Sequence, residues 1–231
     1  MFRTEKQTMQ EILASSIRQE RTARFAAARL YPVISSEFCA GRSPLDVFAA
    51  AVAGGAKVIQ LREKHWDKGR ICELARACRP VADSHGVLII IDDYADVAVE
   101  AGADGVHIGQ DDMSVAEVRA LSPDLLVGKS THNLEELLAA QEEGTDYLNI
   151  GPIFATNTKS VSYPAVGLET LTSLIPHVKI PFSVMGGIKK RHIKDLLAAG
   201  ARRIAMVTEI TQDPDVEAKV RELEALFPPS W

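Results

Sequence analysis

Cysteine is scarce in this chain: 231 residues hold three, Cys39, Cys72 and Cys78, an odd number with no CxxC pair. That excludes a disulfide-built scaffold and a zinc site of the usual spacing, and it points to a reducing, cytoplasmic setting. Long apolar runs are missing too; none approaches the ~20 residues a membrane span needs. The first 30 residues lack an apolar signal core and carry acidic side chains. An excess of positive charge is also absent, with 26 Lys and Arg against 31 Asp and Glu and a net charge of −5. A nucleic-acid or membrane-surface partner is therefore not expected. Any anionic ligand must be held by a local cluster, because the overall field opposes it. No Pro-, Gly- or Ser-rich break divides the chain, so it reads as one domain.

What is present is an alternation. Residues 6–28 form one polar helix with a thin stripe of Met9, Ile12, Leu13 and Ile17, an extension (1–29) expected to pack on the outside of the remaining chain. Strand-like runs then recur at 30–35, 58–62, 87–91, 105–108, 125–128, 147–151, 182–185 and 203–207. Helical stretches lie between them, at 45–53, 69–84, 95–101, 115–121, 134–142, 168–174 and 193–199, and a last one at 216–226. Several close on a glycine that leads into the next strand, as in AGGAKV, EAGADGV, EEGTDYL and AAGARRI. Eight βα units in roughly 200 residues have the size of a single-domain (β/α)8 TIM barrel, here over 30–231. An open doubly wound sheet is the alternative, but no first turn carries the GxGxxG fingerprint of that fold.

In a barrel the chemistry sits at the C-terminal ends of the strands. The third and fourth strands end in Asp92-Asp93 and Asp111-Asp112. Parallel neighbours bring such carboxylates together, which suits Mg²⁺; helix N-capping is the competing explanation. The second strand ends QLREK, and alternation puts Gln60, Arg62 and Lys64 on one face, a phosphate or diphosphate grip unless it is a plain surface run. After the fifth strand come Ser130, Thr131, His132 and Asn133, the last a natural N-cap. His132 could serve as a general base or be a lone polar residue satisfied by backbone. The sixth strand opens into GPIFATNTK, whose Thr156, Thr158 and Lys159 sit in a long loop suited to closing over an oxyanion. Gly186-Gly187 after the seventh strand allows backbone N–H groups to approach an anion.

Taken together, QLREK, the IDD…GVHIGQDD pair, STHN, GPIFATNTK and MGGI resemble the thiamine-phosphate synthase (thiamine-phosphate pyrophosphorylase) family, in its order and spacing from residue 30 to residue 227. The resemblance implies an enzyme, a transferase joining hydroxymethylpyrimidine diphosphate to a thiazole phosphate through a pyrimidine carbocation, with Mg²⁺ as cofactor. It implies Asp93 and Asp112 as metal ligands, and Arg62, Lys64, Ser130 and Lys159 as the catalytic grip on the diphosphate. Gln60 would lie near the pyrimidine and Asp92 against the diphosphate substrate. Thr156, Thr158, Gly187 and Thr208 would hold the thiazole phosphate, and Asn157 and Val207 would complete the substrate site. The chain departs from the family pattern in Asp92, where Asn is usual, in Ala155 and Asn157, where prolines are common, and in Thr208, where Ser is common. A thiazole tautomerase using His132 and a non-catalytic sensor of thiamine phosphates are the alternatives, and a homo-oligomer is left open.

Overall fold

The computed structural model describes residues 5–156 and 164–228, with side chains from residue 13 onward. Eight strands close into one parallel barrel in chain order. They are β1 (Leu30–Ile34), β2 (Val58–Leu61), β3 (Leu88–Asp92), β4 (Gly105–Ile108), β5 (Leu126–Thr131), β6 (Tyr147–Ile150), β7 (Phe182–Val184) and β8 (Ile204–Met206). Around them run α2 (Pro44–Ala53), α3 (Lys68–His85), α4 (Ala95–Ala101), α5 (Val115–Leu121), α6 (Leu134–Glu142), α7 (Gly167–Leu174), α8 (Ile193–Ala198), the single turn α9 (Thr208–Thr211) and α10 (Val216–Glu224), with α1 (Glu5–Ala27) leading. The expected (β/α)8 architecture is therefore present. No helix among the described residues is long and apolar enough to cross a membrane.

Strand alternation divides the core into two layers. Leu30, Ile34, Ile59, Leu61, Ile89 and Ile91 face outward into the helices. Tyr31, Val33, Val58, Leu88, Ile90, Leu126 and Tyr147 fill the barrel interior. Gly128 makes that interior fit: a Cβ there would lie 1.9 Å from Cζ of Tyr147. Local signals set the helix ends. Ser114 and Glu117 form a capping box on α5, and Gly86 and Gly102 close α3 and α4 in the left-handed conformation.

The leading helix, expected on the outside, does not rest merely there. Its Phe25 is fully buried within the interior layer, with its ring stacked on Tyr147 at 3.9 Å and set edge-on to Tyr31 at 5.7 Å. Arg21 pairs with Asp104 and Asp124, Arg18 with Asp146, and Arg203 Nη1 donates to the Ala26 carbonyl at 2.6 Å. These anchors all lie just before strands β4, β5, β6 and β8. The helix thus plugs the N-terminal mouth of the barrel and leaves the C-terminal mouth free for a site.

Candidate active site

The acidic strand ends come first. Neither Asp93 nor Asp112 is a helix cap: the N-cap of α4 is Tyr94, with no side-chain bond, and that of α5 is Ser114. Instead the Asp112 carboxyl is within hydrogen-bonding reach of Asp93 while its Oδ2 accepts from the Gly109 N–H at 2.6 Å. Asp93 holds its position in a left-handed conformation, φ +62°, which few non-glycine residues adopt. Partial burial and the Asp93 charge push the Asp112 carboxyl above its usual range, against the pull of Gly109 N–H. Such a pair of carboxylates suits Mg²⁺, which takes one or two carboxylates, keeps several waters and accepts phosphate oxygens. Clusters of three or more His, Cys, Asp or Glu able to hold a metal are absent among the described residues. The two-carboxylate donor set of Asp93 and Asp112 fits Mg²⁺.

Beside this pair stand the cations of QLREK. Alternation works as expected: Glu63 turns away and accepts from Ser36 N and Oγ, both at 2.6 Å, while Arg62 and Lys64 turn to the mouth. Arg62 is buried, so the motif is not a surface run. Arg62 Nε lies 3.2 Å and Lys64 Nζ 3.0 Å from Asp92 Oδ2, and Lys64 also pairs with Asp93. Burial works against the Lys64 ammonium, but Asp92 and Asp93 outweigh it and raise its pKa. Burial and Asp93 push the Asp92 carboxyl upward, with Lys64 and Arg62 opposing.

Deeper in the barrel, Gln60 and Ser130 are joined by a chain of hydrogen bonds. Gln60 Nε2 donates to the Tyr31 hydroxyl at 3.1 Å, which meets the Tyr147 hydroxyl at 3.0 Å. Tyr147 contacts His107 Nδ1 at 3.1 Å, and His107 Nε2 lies 2.9 Å from Ser130 Oγ. Every member is buried, and burial raises the pKa of both phenols, so they remain neutral donors and acceptors. The chain links two candidate site residues on strands β2 and β5 through a shared network.

Across the mouth, the loops after β6, β7 and β8 meet. Gly187 has φ +62°, and a Cβ there would come within 2.5 Å of the Ala155 carbonyl, so the loop carrying Thr156 passes directly over the glycine pair. Lys189 Nζ donates to Thr208 Oγ1 at 3.0 Å and pairs with Glu209 at 3.5 Å. Val207, the residue after β8, caps α9, and its carbonyl accepts from the Thr211 N–H at 2.9 Å. A 3₁₀ turn, Lys190–His192, separates the glycine pair from α8, so that helix does not begin at the glycines. His132, just before α6, has its Nδ1 2.7 Å from Oε2 of Glu136 on that helix, so this ring nitrogen meets a side-chain carboxylate rather than the backbone expected from the sequence. Asn157, Thr158 and Lys159 lie outside the described residues.

A sequence profile of thiamine monophosphate synthase matches residues 30–210. The chain belongs to the thiamine monophosphate synthase family. Thiamine-phosphate synthase of Chloroflexus aurantiacus is 44% identical over 198 residues, covering 86% of this chain and 92% of the relative. Its counterpart in Shouchella clausii is 41% identical, covering 85% of this chain and 95% of the relative. Among solved structures, thiamine phosphate pyrophosphorylase from Pyrococcus furiosus superposes with a TM-score of 0.80 at 30% identity, covering 88% of this chain and 96% of that one. A 3-hexulose-6-phosphate synthase at 20% identity and TM-score 0.60 shares the fold alone.

For a thiamine monophosphate synthase family member, four side chains around the site escape the sequence pattern: Tyr31, His107, Tyr147 and Lys189. The first three sit mid-barrel, where a polar atom on an apolar strand is visible only through its partner. Lys189 directly follows the MGGI motif, and its distance from Thr208 depends on two strands closing side by side.

Proposed function

We propose that this protein is a Mg²⁺-dependent thiamine-phosphate synthase that joins hydroxymethylpyrimidine diphosphate to a thiazole phosphate, releasing diphosphate. The observation that carries this reading is the convergence of Arg62, Lys64, Asp93 and Asp112 at one end of the barrel. The C–O bond to diphosphate breaks, and the thiazole ring nitrogen supplies the electron pair for the new C–N bond. That chemistry asks for anion stabilisation and alignment more than for proton transfer.

Arg62 and Lys64 provide positive charge where the diphosphate departs. Ser130 offers its hydroxyl to the same group, with its orientation fixed by His107. Gln60 is held by Tyr31 to face the pyrimidine. Mg²⁺, held by Asp93 and Asp112, would offset the charge of the leaving diphosphate. Lys159 is assigned to the same group, and Asp92 contacts it. The thiazole phosphate is assigned to Thr156, Thr158, Gly187 and Thr208, with Asn157 and Val207 completing the substrate site. The three buried free cysteines accord with a cytoplasmic enzyme.

The experiment is a turnover assay of purified protein with both heterocycles, with Mg²⁺ or with EDTA. Thiamine phosphate and diphosphate should form in equal amounts, and only with Mg²⁺. Intact substrates in both arms would overturn the assignment.

Lys189 adds a prediction at the opposite end. Its ammonium bridges the two loops that receive the thiazole phosphate. Lys189→Met should raise KM for thiazole phosphate roughly tenfold, the low end for a charge-assisted hydrogen bond. Because that contact is uniform through the reaction, kcat should stay within about twofold. Steady-state kinetics with thiazole phosphate varied would check it; an unchanged KM refutes the contact.

A further inference from the structure

We propose that Asp92 is an internal counter-anion that makes diphosphate binding by this protein conditional on a divalent cation. The inference rests on the reading of Arg62 and Lys64 as diphosphate ligands. Asp92 is the last residue of β3, only 8% exposed, and one of its oxygens stands 3.0 Å from Lys64 Nζ and 3.2 Å from Arg62 Nε. Among the described residues, both cations assigned to the diphosphate, Arg62 and Lys64, are thus already paired with a carboxylate of the protein. Lys64 is shared a second time, with Asp93.

Among the described residues, these set the charge balance at the mouth. Two cations, Arg62 and Lys64, face three carboxylates, Asp92, Asp93 and Asp112, so the sum over this cluster is negative. Metal-free diphosphate must displace Asp92 from its partners and then lie beside a buried carboxylate that has lost them. Removing one partner from a buried pair is strongly unfavourable because the remaining charge is uncompensated. A divalent cation on Asp93 and Asp112 reverses the sign of the mouth, and the anion then enters an attractive field while Asp92 keeps part of its pairing. A neutral side chain at 92 would leave Arg62 and Lys64 free of that carboxylate in either condition. Asp92 therefore acts as a gate of charge: it penalises diphosphate that arrives without metal more than diphosphate that arrives with it.

The test is isothermal calorimetry with inorganic diphosphate as the probe, on the full chain, in Mg²⁺ and in EDTA. Asp92→Asn should bind metal-free diphosphate at least tenfold tighter than the unaltered protein. The ratio of Kd in EDTA to Kd in Mg²⁺ should shrink by at least threefold. Asp92→Ser, smaller and also neutral, should behave the same way and serves if the Asn variant does not fold. An unchanged or weaker metal-free affinity in a folded variant overturns the inference and leaves the diphosphate site standing. Failure of the unaltered protein to bind diphosphate even with Mg²⁺ overturns both.

Discussion

Replacing Asp93 by Asn should lower kcat/KM by at least about 100-fold, near 2.7 kcal/mol of transition-state stabilisation, while the melting temperature stays within a few degrees. Asn is the variant of choice because residue 93 sits at φ +62°, a conformation Asn tolerates far better than Ala. An Ala variant would mix backbone strain with lost chemistry. The amide keeps the volume and one acceptor but removes the charge that Asp112 and Lys64 both face. Two effects then combine: under the proposed function the metal would lose one of its two carboxylates, and Lys64 is left to Asp92 alone. Raising Mg²⁺ should recover part of the loss if affinity for the ion is what fell, so the kinetics should be measured across a Mg²⁺ series. Activity within threefold of the unaltered protein, at any Mg²⁺ concentration, would remove Asp93 from the metal site.

The same geometry explains what is legible in the chain alone. Eight strands are visible because each is short, apolar and β-branched and most follow a glycine-closed helix. Asp93 and Asp112 are visible because the doublets stand where strands stop. The apolar pattern ends strand β5 at Gly128, yet the strand continues through Lys129, Ser130 and Thr131. Those residues look like a loop, but a barrel is polar at its mouth, so a strand can carry hydroxyls and stay paired. His107, Tyr31 and Tyr147 are hidden for the opposite reason: on buried strands they resemble core, and their partners are 23 to 116 residues away in the chain. The turn α9 holds four residues, too few to give a period. Phe25 escapes notice because the stripe of the leading helix is thin and its last aromatic stands beyond the stripe.

Phe25→Ala should be more destabilising than Asp93→Asn or Lys189→Met, by about 3–5 kcal/mol, the usual range for a buried Phe. The ring is fully buried in the barrel floor and meets two tyrosines, so its loss opens a cavity that rigid strands cannot collapse to fill. At about 2–4 °C per kcal/mol for a chain of this size, the melting temperature should fall on the order of 10 °C. Leu13→Ala on the same helix is the control. Leu13 is 61% exposed, and a surface change of that kind should stay within about 0.5 kcal/mol. Equal effects of the two would mean the helix contributes as a loosely attached strap. A large gap means that one side chain is the plug. Activity separates the plug from the rest of the fold. Phe25 stacks on Tyr147, whose hydroxyl reaches Ser130 through His107, so loosening the floor should disturb the orientation of that hydroxyl. At temperatures where Phe25→Ala remains folded, kcat should therefore drop several-fold while KM for thiazole phosphate, proposed to bind at the other loops, holds steady. An unchanged kcat would confine Phe25 to stability and disconnect the barrel floor from the chemistry above it.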